Sequence, residues 1–214
     1  GINVKVIDIS SNEQNTQMYL ERAITPRTKV ISVSHITCTT GAILPTKEII
    51  DLCKKHGIIS VIDGAQAVGQ VTVDLGYLNP DFYAASGHKW LYGPNGTGIL
   101  YLNKDFLQST GPLFSGAYTD SKFDLNEGLI DYVQTAGRYE YGTLNSSIMA
   151  GFEAAIDFAQ NIGMEQIYQR CKLLSTRFYV GIKGHKNITI LTPVKEEHRA
   201  AIITFKIDNM QTSE

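Results

Sequence analysis

Between residues 29 and 102 four short runs of β-branched and aromatic residues alternate with polar or helically spaced segments, a rhythm that few architectures accept. Residues 29–34 (KVISVS), 58–62 (IISVI), 82–85 (FYAA) and 98–102 (GILYL) each have the length and composition of a strand. Between the first two, Pro45 opens a segment whose apolar residues Ile49, Ile50 and Cys53 recur at helical spacing until Gly57 stops it. Strands that alternate with helices predict an α/β layer fold with a mostly parallel sheet. A run as continuously apolar as IISVI fits a sheet covered on both faces. In such sheets ligands bind beyond the carboxyl ends of the strands. Three strand ends carry polar residues there: Ser34-His35, Asp63-Gly64-Ala65-Gln66 and Ser86-Gly87-His88-Lys89.

Outside this region the pattern changes. Residues 4–9 read as a further strand, and both chain ends read as cut from a longer protein. From Asn145 a helix is expected, capped by Asn145 or Ser146, with Ile148, Met149, Phe152, Ala155, Ile156 and Ala159 on its apolar face and Gly163 as its stop. A second helix carries Ile167, Tyr168, Cys171, Leu174 and Phe178, and strands are expected at 188–191 and 201–207. A new module is expected to begin near Asn187.

The bulk properties exclude several function classes. The chain has 214 residues, 43% of them hydrophobic, enough for one large or two small domains with a sizeable core. The formal charge of −2 is interspersed, so no basic stripe points to nucleic acid. No apolar run reaches the roughly 18 residues of a membrane span. Three scattered cysteines, Cys38, Cys53 and Cys171, form no CxxC pair, which points away from a metal site or disulfide framework and fits a reducing, cytoplasmic setting.

The strand ends carry a coherent chemistry. A lysine in a suitable site forms a Schiff base with a carbonyl cofactor. Pyridoxal phosphate also needs a carboxylate on its pyridine nitrogen, and Asp63, at the end of a buried strand, is suited to that. Gln66 could donate its amide to the cofactor's phenolic oxygen. Ser86 and His88, beside Lys89, offer donors to a phosphate. Taken singly, each residue has a plainer reading: a solvated lysine, a turn-capping aspartate, a structural histidine, a glutamine that starts a helix. Their force comes from falling together at strand ends on one edge of one sheet.

The segments VIDGAQAVGQVTVDL and DFYAASGHKWLYGPNGTGILY resemble the class V aminotransferase family of fold-type I pyridoxal-phosphate enzymes, which includes cysteine desulfurases, selenocysteine lyases and isopenicillin-N-epimerase-like proteins. GRYEYGTLN, residues 137–145, resembles a further element of that family. The resemblance implies a three-layer α/β/α large domain over 1–163. Residues 164–214 would form a linking helix and the start of a small α+β domain. Lys89 would be the Schiff-base lysine and the acid/base at the substrate α-carbon. Asp63 would pair with the ring nitrogen, Gln66 would contact the phenolic oxygen, and Ser86 and His88 would bind the phosphate. Thr143 would reach the phosphate of a neighbouring subunit, which implies a homodimer with shared sites and a small amino-acid substrate. Arg138 and Glu140 would form a structural ion pair. Cys38, where desulfurases often carry Asn, tilts the resemblance toward the epimerase-like branch, with desulfurase or selenocysteine lyase as the alternative; its plainest reading is a small buried side chain.

Three rivals compete. Residues 93–98 (GPNGTG) precede a strand, whereas a dinucleotide fingerprint follows one. A nucleophile elbow at Ser86 lacks its first glycine, since Ala84 stands there. A non-catalytic homologue of the same fold would not need Lys89, Asp63, Gln66 and His88 together, which argues against it for the parent protein, while an inactive fragment stays open for this chain.

Overall fold

The structure, a computed structural model, describes residues 1–8 and 15–210. Its centre is a four-stranded sheet in the order β1 (Val30–Ser34), β2 (Ile59–Asp63), β3 (Phe82–Ser86), β4 (Gly98–Leu102). The first three strands are parallel and β4 is antiparallel to β3, so the sheet is mostly parallel as expected.

Helix α2 (Thr46–His56) fills the β1–β2 crossover. It buries Ile49, Ile50, Leu52 and Cys53 and keeps Lys54, Lys55 and His56 in its last turn, where cations suit the helix dipole. Gly57 ends it with φ of 63°, a left-handed conformation that glycine adopts without a Cβ penalty. Helices α1 (Thr16–Ala23) and α3 (Leu75–Leu78) join the same layer. The register sets Val33, Ile62 and Tyr83 side by side, and they pack with Ile50 and Leu78. Each fully buried Ile or Leu contributes about 1.5–3 kcal/mol relative to exposure. Burial first, and the Asp81 charge second, pushes the Cys53 thiol up to about 11. The opposite face of the sheet is open at Ser32, Ala84 and Leu100.

The start of β2 is locked to that of β3. Ser60 donates its N–H and its hydroxyl to Asp81 Oδ2, both at 2.8 Å, and Asp81 N–H donates back to Ser60 Oγ at 2.9 Å. These bonds fix the relative heights of the two strands and so of their carboxyl ends.

Beyond the sheet lie a hairpin, β5 (Asp120–Asp124) with β6 (Leu129–Tyr132), and two long helices, α4 (Ser146–Ile162) and α5 (Met164–Ile182). Asn145 caps α4, its Oδ1 accepting from Ser147 N–H at 3.1 Å and Ile148 N–H at 3.2 Å, and Gly163 breaks it with φ of 92°. The chain closes with β7 (Ile188–Ile190) paired antiparallel to β8 (Phe205–Ile207).

Three expectations need correction. Residues 4–8 form no strand, and Ile9 lies outside the described residues. Val4 and Val6 are exposed and only Ile7 packs on the core, so this apolar stretch has no paired neighbour to hold it extended. The strand expected over 201–207 begins only at Phe205, because Ala201 N–H is taken by the Gln70 side chain and Thr204 N–H by Thr192 Oγ1. Arg138 makes no ion pair with Glu140. It lies in a 3-10 turn, Ala136–Tyr139, rather than a strand, and donates to the Val133 and Leu107 carbonyls while lying over the Tyr132 ring.

Candidate active site

Parallel register carries the polar strand ends to one edge. Ser34 pairs with Asp63, and Asp63 with Ala84, two residues before Ser86. Past the strands the ladder continues: His35 N–H donates to Asp63 O at 2.8 Å, and Gly64 N–H to Ala84 O at 2.7 Å. Asp63, Ser86 and the residues that follow them therefore share this edge.

Asp63 is exposed, and its Oδ1 accepts from Ala65 N–H at 2.9 Å, a turn that aspartate favours. Its second oxygen has no partner among the described residues. Behind it stands Tyr83, 1% exposed, with its hydroxyl 3.0 Å from His35 Nδ1 and the two rings edge to face. The Tyr83 ring packs so closely on Gly64 that a Cβ there would lie 2.1 Å from Cε1. Burial, and then the Asp63 charge, raises the Tyr83 phenol above its usual range, while burial lowers His35 to about 4. Both members of this pair are neutral near pH 7.

After β3 the chain turns tightly. Gly87 N–H donates to Thr97 O at 2.9 Å, and Gly93 N–H closes the loop on Gly87 O at 2.9 Å. A Cβ on Gly87 would come within 2.5 Å of Thr97 Oγ1 and 2.6 Å of Phe152 Cε2, so glycine is required where α4 meets this turn. His88 Nδ1 lies 3.3 Å from Thr97 O. A carbonyl only accepts, so Nδ1 carries the proton and Nε2 is the free nitrogen. Lys89 is exposed and forms no ion pair among the described residues. The residues after it hold the loop: Leu91 is buried with Phe152 and Ala159, and Trp90 Nε1–H donates to Gln66 Oε1 at 2.9 Å.

The structure thus brings Asp63, Gln66, Ser86, His88 and Lys89 to one sheet edge. It joins Thr143 to none of them: Thr143 is exposed and shares no hydrogen bond or ion pair with this group. Cys38, expected to be buried, is exposed. The turn around it, closed by Gly41 N–H to Thr37 O at 3.0 Å and by the Thr37–Thr40 hydroxyl contact, leaves it at the tip. Sequence reasoning missed Tyr83, Trp90 and Gln70. Trp90 had a visible signal, as the one tryptophan in the chain and next to Lys89. Tyr83 and Gln70 had none, since a strand tyrosine and a lone glutamine look ordinary. Among the described residues, no group of three or more His, Cys, Asp or Glu could hold a metal ion, and no helix is long and apolar enough to cross a membrane.

A sequence model of the family Aminotransferase class-V matches residues 1–214. A probable cysteine desulfurase of Halalkalibacterium halodurans is 32% identical over 194 residues, covering 89% of this chain and 46% of that protein. Among solved structures, an apo cysteine desulfurase from Thermococcus onnurineus NA1 superposes with a TM-score of 0.84 at 28% identity, covering 91% of this chain and 48% of the other. A mutant of the protein C-DES, with glycine covalently linked to its PLP cofactor, gives a TM-score of 0.81 at 28% identity, covering 90% and 51%. The chain spans about half the length of the curated relatives it matches.

Proposed function

Because the chain belongs to the class V aminotransferase family, we propose that it holds pyridoxal phosphate at Lys89 and that its protein acts on an amino-acid substrate. Its α/β architecture with a mostly parallel sheet is that of the fold-type I enzymes. The observation that carries the cofactor reading is a set of free polar atoms along one sheet edge. They are one oxygen of Asp63, the Gln66 amide nitrogen, the Ser86 hydroxyl, His88 Nε2 and Lys89 Nζ, none with a partner among the described residues. Their chemistry matches the group part by part: a carboxylate for a ring nitrogen, an amide donor for a phenolic oxygen, a hydroxyl and an imidazole for a phosphate, an amine for an aldehyde.

When bound, the cofactor supplies an electron sink for the bond broken in the substrate. The protein's own groups do the rest. Asp63 keeps a proton on the ring nitrogen by opposing its charge. Ser86 donates its hydroxyl to a phosphate oxygen. His88 Nε2 donates there only as the imidazolium, since Nδ1 already holds the neutral ring's proton. Lys89 holds the cofactor and then moves a proton at the substrate α-carbon. Thr143 stands apart from this group, which fits its serving the site of a second subunit in a homodimer. Residues 1–163 would be the cofactor-binding domain and 164–214 the linking helix and the start of a small domain. Three free thiols fit a reducing, cytoplasmic setting.

The relatives favour a finer reading over epimerisation, namely sulfur removal from cysteine, since the curated matches carry that name. The test loads the protein with pyridoxal phosphate, reduces it with borohydride and maps the modified peptide. An adduct on Lys89 supports the reading, and an adduct elsewhere or none overturns it. Sulfide released from cysteine in the presence of a thiol would support the desulfurase branch, and its absence would return the choice to epimerisation or transamination.

A further inference from the structure

Trp90 stands beside Lys89, and the chemistry above does not use it. Its Nε1–H donates to Gln66 Oε1 at 2.9 Å. Indole is a donor only, whereas a carboxamide has one accepting oxygen and one donating nitrogen. The contact therefore decides which way the Gln66 amide faces, because a flipped amide would set two donors against each other. With Oε1 engaged, both N–H groups of Nε2 remain free among the described residues.

The rest of the arrangement is fixed as well. The Gln66 carbonyl accepts from Gln70 Nε2 at 2.9 Å, and Gln70, 1% exposed, takes Ala201 N–H on its Oε1. On the other side, Leu91, the next residue, is buried with Phe152 and Ala159, and a Cβ on Gly69 would lie 2.4 Å from the Trp90 carbonyl carbon. Both partners of the indole–amide bond are thus held at the backbone.

We infer that Trp90 is a positioning residue, which locks the Gln66 amide with its NH2 group presented to the phenolic oxygen of a cofactor on Lys89, an inference that rests on that cofactor reading. A free glutamine would also present its oxygen, which repels an ionised phenolic oxygen. A locked one presents only donors, and donors favour the ionised form.

The test compares the cofactor-loaded protein with Trp90→Phe, Gln66→Leu and the double variant, reading the pH midpoint of the visible absorption band. Each single substitution should raise the midpoint by roughly half a unit, about threefold in the proton equilibrium. The double variant should match Gln66→Leu alone, because Trp90 acts through Gln66. Additive shifts, or no shift in Trp90→Phe, overturn the inference. A cofactor-free measurement guards against misfolding of Trp90→Phe. The single tryptophan gives one indole N–H signal in a 15N-labelled sample, and Gln66→Leu should move it and speed its exchange with water. An unmoved signal also overturns the inference and leaves the Lys89 reading intact. If the unsubstituted protein forms no band, the cofactor reading itself has failed and this inference falls with it.

Discussion

The strands β1 to β3 carry two regions of opposite character a few residues apart. Along one face Val33, Ile62 and Tyr83 pack against Ile50 and Leu78, and the Tyr83 hydroxyl meets His35 Nδ1 at 3.0 Å. At the strand ends Asp63, His88 and Lys89 are exposed and keep polar atoms without partners among the described residues. The packed face stabilises the strands, whose relative heights are fixed by the ladder and by the Ser60–Asp81 bonds. The edge depends on those heights, because its residues come from separate strands and gain a common geometry only through the register. On the proposed reading, stability and chemistry should be separable, the first in the face and the second in the edge.

Three substitutions or conditions would sharpen or break this contrast. The largest effect is expected on the packed face, where Ile62→Ala should lower unfolding free energy by about 2–5 kcal/mol in a denaturant titration. A loss below about 1 kcal/mol would mean that the face does not carry the fold. Next comes acid sensitivity at the boundary between the regions. His35 is lowered from 6.5 to about 4 by burial, so the unfolded chain binds its proton first as pH falls. The stability associated with neutral His35 is complete above pH 6.5 and is lost progressively down to about pH 4, a change of about 3 kcal/mol. His35→Gln should flatten that part of the profile, and an unchanged slope would remove His35 as its source. The smallest effect on stability is expected at the edge. Lys89→Ala should shift unfolding by no more than about 0.5 kcal/mol while abolishing the reduced cofactor adduct. A large loss of stability would show that the edge also supports the fold.

Some of this was legible in the sequence, for identifiable reasons. The strands 29–34, 58–62 and 82–85 and helix α2 could be read because burial on a regular element imposes a period, and Gly57 and Gly163 mark ends that need a backbone few other residues accept. The hairpin β5–β6 escaped because DSKFD is polar and lacks an apolar face, and α1 escaped because only Thr16 and Leu20 of it are buried. The stretch 4–8 misled in the opposite sense, since apolar alternation describes a strand only when a neighbour pairs with it. For the candidate site, Asp63, Gln66, Ser86, His88 and Lys89 could be named because polar residues past a strand end are a local pattern. Tyr83, Gln70 and the orientation of Gln66 were not, because each depends on a residue distant in the chain.

The sequence by itself determined the mostly parallel α/β sheet and which residues end its strands, since periodicity and breakers act over a few neighbouring positions. The tertiary structure decided the rest: that Tyr83 and His35 pair, that Arg138 turns to carbonyls instead of Glu140, and that Trp90 holds the Gln66 amide. Each of these is a hydrogen bond whose geometry exists only after the elements have packed, because side-chain identity sets what can donate or accept and the packed backbone sets which of those groups meet.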